Sequence, residues 1–246
     1  MSRHHLLLGV AIVSWLTGNV VLAVTVTTVV IVLVGFGVAF PQWQMFGPFI
    51  CHGSTQQKWV ALTFDDGPDP QSTPALLAVL REAGVPAAFF CVGQKVAAHP
   101  ELAAQIAREG HLVENHSFGH SHGTNFFTTG RLREELTRTQ SAIEQATGSR
   151  PQLFRPPMGL SNPRVFRAAR ALNLQVIGWT ARGLDTKLTE PARIVARIMA
   201  RLRPGAIVLL HDGNIPAERL VATVRNLLDK VRAAGYEVVR LDRILE

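Results

Sequence analysis

The sequence predicts an α/β protein in which parallel strands wrapped by helices form a (β/α)7 barrel, preceded by an N-terminal membrane-embedded helical segment. Three observations carry this. The chain is almost wholly apolar from His5 to Phe40, and Arg3 is the only charged residue before Lys58. From Trp59 onward, short apolar runs alternate with helical patterns that end on glycine. Polar motifs fall at or just past the C-terminal ends of those runs, and parallel strands deliver such ends to one face.

As one helix, the 36 residues His5–Phe40 would measure ~54 Å, against a hydrocarbon core of ~30 Å. A two-span hairpin fits that length, although the turn signal Thr17-Gly18-Asn19 leaves a first arm of only twelve residues or so. A single span and a cleaved signal peptide with Val21-Leu22-Ala23 at its processing site are the other readings; against cleavage, the apolar stretch Val24 to Phe40 follows at once. Residues 41–57, with Trp43, Phe46 and Phe49 among Pro and Gly, read as an interfacial connector with its rings at headgroup depth. Residues 1–57 are therefore expected to form anchor and connector, and 58–246 the soluble domain. The expected location is the cell membrane, as an integral protein. Arg3 favours an inside N-terminus, so one span would put the domain outside and a hairpin would return it.

The apolar runs fall near 59–64, 86–92, 111–115, 152–154, 175–180, 206–210 and 237–241. Helical patterns lie between them near 73–83, 99–109, 131–147, 163–173, 191–203 and 217–234. Pro74, Pro100, Pro163 and Pro191 sit where first-turn prolines belong, because a missing N–H costs nothing there. Gly84, Gly110, Gly148 and Gly235 occupy helix-stop positions. Seven runs suit a barrel one strand short of eight, and an open doubly wound sheet would give the same pattern.

The first run ends in Thr63-Phe64-Asp65-Asp66-Gly67-Pro68. Two carboxylates at the end of a buried strand are costly unless a cation offsets their desolvation. Adjacent strand residues point to opposite sides, so one can ligate an ion while the other transfers protons. His116-Ser117-Phe118-Gly119-His120 offers two imidazoles spaced for one side of a helical turn, and Asp66 would complete a two-histidine, one-carboxylate set. Arg155, in Phe154-Arg155-Pro156-Pro157-Met158-Gly159, suits bidentate fixing of a carboxylate. Asp185 follows the fifth run, and His211 emerges from the sixth in Leu209-Leu210-His211-Asp212.

These motifs, in this order over about 59–245, resemble the NodB-like polysaccharide deacetylases, carbohydrate esterase family 4. The resemblance implies a distorted (β/α)7 barrel that hydrolyses an N-acyl amide on an amino sugar with one divalent ion, zinc being expected and Co2+ or Ni2+ the alternatives. It implies Asp65 as general base, with Asp66, His116 and His120 as metal ligands. Arg155 would orient the base, and the backbone N–H of Met158 would stabilise the oxyanion. His211 would be the general acid, tuned by Asp185. Two positions depart from the family pattern: Met158 replaces a usual Tyr, and Thr186 a usual Trp, so substrate preference stays open while the catalytic set is complete.

With 246 residues, 47% of them hydrophobic, the chain has ample core and is no disordered protein. Its formal charge of +7 would suit a membrane surface, an acidic glycan or nucleic acid, but scattered arginines and a single Tyr provide no basic-aromatic stripe for nucleic acid. Cys51 and Cys91 are read as neither disulfide nor metal ligands. The expected partners are an N-acetylated glycan or lipid-linked sugar and the membrane, with the oligomeric state open. Three other functions stay in view: deformylation or deacetylation of a lipid-linked sugar, a non-haem iron oxygenase sharing the ligand type, and an inactive glycan-binding protein.

Overall fold

The computed structural model describes Trp15 and residues 20–246. Helix α1, Val20–Ala39, carries no charge, and its Val20–Val38 stretch has a mean hydropathy of 2.6. Length and composition let it cross a membrane or act as a signal sequence. The Nε1 of Trp15 lies 3.5 Å from Thr27 Oγ1, beside the middle of α1. The rest of the expected first arm, with its Thr17-Gly18-Asn19 turn, lies outside the described residues.

After a helical turn at Pro41–Trp43, strand β1 is Phe49–Ile50, followed by β2 (Trp59–Asp65), α2 (Thr73–Ala83) and β3 (Ala88–Cys91). Then come α3 (Gly93–Ala98), α4 (Pro100–Arg108), β4 (Leu112–Asn115), α5 (Thr129–Thr147), β5 (Leu153–Phe154) and α6 (Pro163–Arg170). The chain closes with β6 (Gln175–Ile177), β7 (Ala181–Arg182), α7 (Pro191–Met199), β8 (Ala206–His211), α8 (Ala217–Ala233), β9 (Glu237–Val238) and α9 (Leu241–Leu245). The strand order is β1-β6-β5-β4-β3-β2-β8-β7, with β9 on the start of β2, and every ladder is parallel. The prolines and glycines act as the sequence predicts. Pro74, Pro100, Pro163 and Pro191 lie in first turns, and Gly84 and Gly148 cap α2 and α5 in the left-handed conformation.

Alternation along β2 sorts the core into two layers. Val60, Leu62 and Phe64 pack outward with Leu76, Leu80, Leu227 and other helix residues. Ala61 points inward with Ala88, Phe90, Leu153, Ile177 and Ile207, and Leu241 and Ile244 of α9 join this inner cluster. Thr63 and Asp65 share the inward phase, which brings polar groups into the upper barrel.

The structure corrects the expected elements in four places. Phe49 is not an interfacial ring: it is 1% exposed, and Phe49–Ile50 pair with Val176–Ile177. The next residues help close the barrel, since His52 bridges Ala206, Thr180 Oγ1 donates to the Cys51 carbonyl at 2.6 Å and Gly53 N–H to Gly205 at 2.8 Å. The sheet thus extends into the segment assigned to the connector. Second, the run near 175–180 holds only β6, and β7 follows just past its end, since Gly178 bonds back to Ile50 while Thr180 bonds forward to Ile207. Third, the last run forms only a two-residue strand before turning into α9. Fourth, α3 was not foreseen. Cys51 and Cys91 are free thiols.

Candidate active site

Strands β2 and β8 run in register, pairing Asp65 with His211. Facing residues of a parallel pair project to the same side of the sheet, so these two side chains enter the mouth together. Asp66, just past the strand, has φ +73° and turns its carboxylate toward the β4 loop. Its Oδ1 lies 3.4 Å from His116 Nε2 and 3.0 Å from His120 Nε2.

The two histidines do not share a helical turn as their spacing predicts. They lie on an irregular loop after β4, where Ser117 and His120 adopt φ of +66° and +46°. The loop is pinned by Asn115 Oδ1, which accepts from the Ser117 N–H at 2.9 Å, and by Glu135, which accepts from the Gly119 N–H at 2.8 Å. The imidazole rings come within 4.9 Å of each other. Met158 and Leu184, on neighbouring loops, also have positive φ. Each such residue costs ~1–3 kcal/mol and persists where its surroundings hold it.

Arg155 is fully buried and lies over the Phe90 ring at 4.1 Å. Its Nη1 donates to Asp65 Oδ1 at 2.6 Å and Thr63 Oγ1 at 2.8 Å, while Nη2 donates to the Gly178 carbonyl at 2.8 Å. The expected bidentate grip is therefore a single-oxygen one. Asp65 Oδ2 is left toward His116 Nε2, 3.9 Å away. The Arg155 carbonyl accepts from His116 Nδ1 at 2.7 Å, which leaves Nε2 with its lone pair directed at Asp66.

Across the mouth, Asp185 takes both the backbone N–H of His211 at 2.7 Å and its ring Nδ1 at 2.9 Å. Burial alone lowers the His211 pKa, but the hydrogen bond and charge of Asp185, with Asp65 and Asp66 beyond, raise it overall. The free ring nitrogen is Nε2.

Asp66, His116 and His120 offer three ligand atoms within 4.8 Å of one another. Asp66 Oδ1 is buried without a hydrogen-bond partner. Burial raises its pKa, yet the two imidazoles beside it outweigh that and hold the carboxyl well below the usual range. A carboxylate kept ionised, an orphaned buried oxygen and two oriented imidazole nitrogens fit a divalent cation.

Several contributors escaped the sequence reading. Asp212 is fully buried: its N–H bonds Asp65 O at 3.0 Å, Thr73 Oγ1 donates to Oδ2 at 2.6 Å, and the Ser72 hydroxyl donates to its carbonyl. Burial first, with help from Asp66 and Asp65, pushes this carboxyl up to about 7. The motif needs Gly67 because a Cβ there would overlap the Asp212 carboxylate. Lys95 Nζ holds the Asp66 carbonyl at 2.7 Å. The Trp179 indole fills the space beside Gly159, whose φ is +66°, beneath the Met158 loop. Met158 is 57% exposed.

The family model for polysaccharide deacetylase matches residues 52–177. A peptidoglycan-N-acetylglucosamine deacetylase from Bacillus cereus is 33% identical over 191 residues, 77% of this chain and 89% of the relative. A chitooligosaccharide deacetylase from Bradyrhizobium is 37% identical over 185 residues, 75% of this chain and 84% of the relative. Among solved structures, a pseudoenzyme of carbohydrate esterase family 4 from Bacillus anthracis superposes with a TM-score of 0.75 at 29% identity, covering 81% of this chain and 69% of the other.

Proposed function

The chain belongs to the polysaccharide deacetylase family, and on that premise we propose that it is a metal-dependent hydrolase removing N-acetyl groups from amino sugars of a cell-envelope or oligosaccharide glycan. The observation that carries this reading is the in-register pairing of Asp65 with His211 beside the Asp66, His116 and His120 donor set. A proton acceptor and a proton donor flank one cation site, the arrangement amide hydrolysis needs.

Asp66, His116 and His120 would hold the ion, with zinc the first choice for two imidazoles and a carboxylate and Co2+ or Ni2+ the alternatives. When bound, the ion supplies Lewis acidity, polarising the acyl carbonyl and acidifying a water. Asp65 takes the proton of the attacking water through Oδ2, the oxygen Arg155 leaves free. The Met158 N–H is the assigned donor to the carbonyl oxygen as negative charge develops there. His211 passes the Nε2 proton to the departing nitrogen, since an amine leaves poorly as its anion. Water adds across the amide bond, giving a carboxylate and the free amino sugar.

Residues 1–57 are proposed as membrane anchor and connector and 58–246 as the deacetylase domain, with Phe49–Ile50 contributed to its sheet from the connector. The apolar α1 and a link of nine residues between Ala39 and Phe49 support catalysis beside a membrane, which keeps a lipid-linked sugar as the second substrate reading. An inactive glycan-binding role is disfavoured because every assigned catalytic position carries a competent side chain. Acetate release measured over peptidoglycan, chitooligosaccharides and lipid-linked amino sugars tests the proposal. Acetate from one of these is expected, and none from any of them would overturn it.

A further inference from the structure

A groove of about 810 Å³ runs beside α6, walled on its other side by Phe46-Gly47-Pro48 of the connector and floored by Ile50 and Val176 of β1 and β6. None of the proposed catalytic or metal-binding residues lines it. Phe46, Pro48, Phe166 and Leu174 give it an apolar surface, Arg167 and Arg170 are its only charged lining residues among the described residues, and both arginines are exposed. Apolar wall and paired cations together match an amphiphile with an anionic head.

Its position says which amphiphile. The groove begins three residues after Trp43, and the rings of Phe36, Phe40 and Trp43 stack with centroids 5.6 to 5.8 Å apart at the end of α1. Phe40 and Trp43 are exposed, as aromatic residues at a membrane interface are. Three residues reach at most ~10 Å, so a membrane-inserted α1 puts the groove at headgroup depth. Phe46 also packs near Gly37 of α1, tying the groove wall to the helix.

We propose that this groove holds one anionic phospholipid of the bilayer that receives α1, with an acyl chain against Phe46, Pro48, Phe166 and Leu174 and the phosphate between Arg167 and Arg170. The inference rests on the membrane reading of α1 above and extends it to a defined lipid site that seats the domain on the bilayer. Each arginine near an anionic surface is worth roughly a five-fold preference, so two favour an anionic over a zwitterionic lipid by roughly twenty-five-fold.

The test uses the full chain in lipid nanodiscs containing phosphatidylglycerol or phosphatidylcholine with a photoreactive acyl chain, followed by mapping of the crosslinked peptides. Phosphatidylglycerol should label the segments 46–50 and 166–176, phosphatidylcholine roughly twenty-five-fold less. The double variant Arg167→Gln, Arg170→Gln should reduce the first to the level of the second while leaving chitooligosaccharide deacetylation within two-fold or so. Labelling confined to α1, equal labelling by the two lipids, or crosslinks from these segments to a second copy of the chain would overturn the proposal. A chain that alkaline carbonate extracts from the discs would overturn it together with the membrane reading, whereas an inactive wild type with normal labelling would fault only the deacetylase reading.

Discussion

Arg155 holds Asp65 by one oxygen, with Nη1 2.6 Å from Oδ1, and spends its other arm on the carbonyl of Gly178. Because the guanidinium is fully buried against Phe90, Asp65 is fixed in direction yet keeps Oδ2 available on the side of His116. In the proposed mechanism, charge balance and proton transfer are thereby divided between the two oxygens of one carboxylate.

The adjacent aspartates should separate cleanly under mutation. Asp65→Asn is expected to keep bound metal while turnover falls ~10²–10⁴-fold, because only the proton acceptor is lost. Asp66→Ala should lose the metal itself. Metal content by elemental analysis beside acetate release makes the comparison, and equal metal loss in both variants would refute the division.

His211 should act without binding the ion, so His211→Ala is expected to retain metal and lose ~10²–10⁴ in turnover. Its pKa is raised overall despite burial, through Asp185, and a general acid works only while protonated. Asp185→Asn removes the raising charge, and the alkaline limb of the kcat/KM profile should move to lower pH. An unmoved alkaline limb would show that Asp185 does not tune this acid.

Most of the mouth was legible because its chemistry sits in short motifs at strand ends, where alternation and a following turn fix the placement of Asp65, Asp66, Arg155 and His211. The His116 and His120 pairing was legible as proximity but not as conformation, since two left-handed residues replace the helical turn. Asp212 looked like any acidic residue after a strand, and only the overlap with Gly67 and the bonds from Ser72 and Thr73 reveal its burial. The closing segment from Phe49 to Gly53 was illegible because a two-residue strand has no period to read, and its Pro and Gly neighbours look like a linker.

The barrel-closing role of that segment predicts where the chain can be cut. A protein of residues 46–246 should fold, whereas 58–246 lacks Phe49, whose buried ring alone is worth ~3–5 kcal/mol. Urea unfolding of the two proteins decides, and equal stability would mean that β1 contributes nothing.

Glu114, buried in β4, accepts the N–H groups of Gln152 and Leu153 at 3.0 and 2.8 Å. Burial, above all, pushes its carboxyl up to about 7. A folded-state pKa above the unfolded value favours the folded protein at low pH, and that contribution is lost as pH rises from about 4.5 to about 7. Glu114→Gln keeps an acceptor but removes the ionisation, so it should flatten this fall in stability, by about 3 kcal/mol at most. Urea unfolding at pH values on both sides of that window reads the effect, and an unchanged slope would place the proton elsewhere.

The central claim, hydrolysis of a sugar N-acetyl group at the Asp66, His116 and His120 centre, is tested most directly by counting products before and after metal removal. Purified protein stripped with dipicolinate should release no acetate from a chitooligosaccharide. One equivalent of Zn2+ should restore release, with free amine formed in equal amount, in the wild type and not in Asp66→Ala. Acetate release that survives stripping, or that zinc restores equally in the Asp66 variant, would contradict the account.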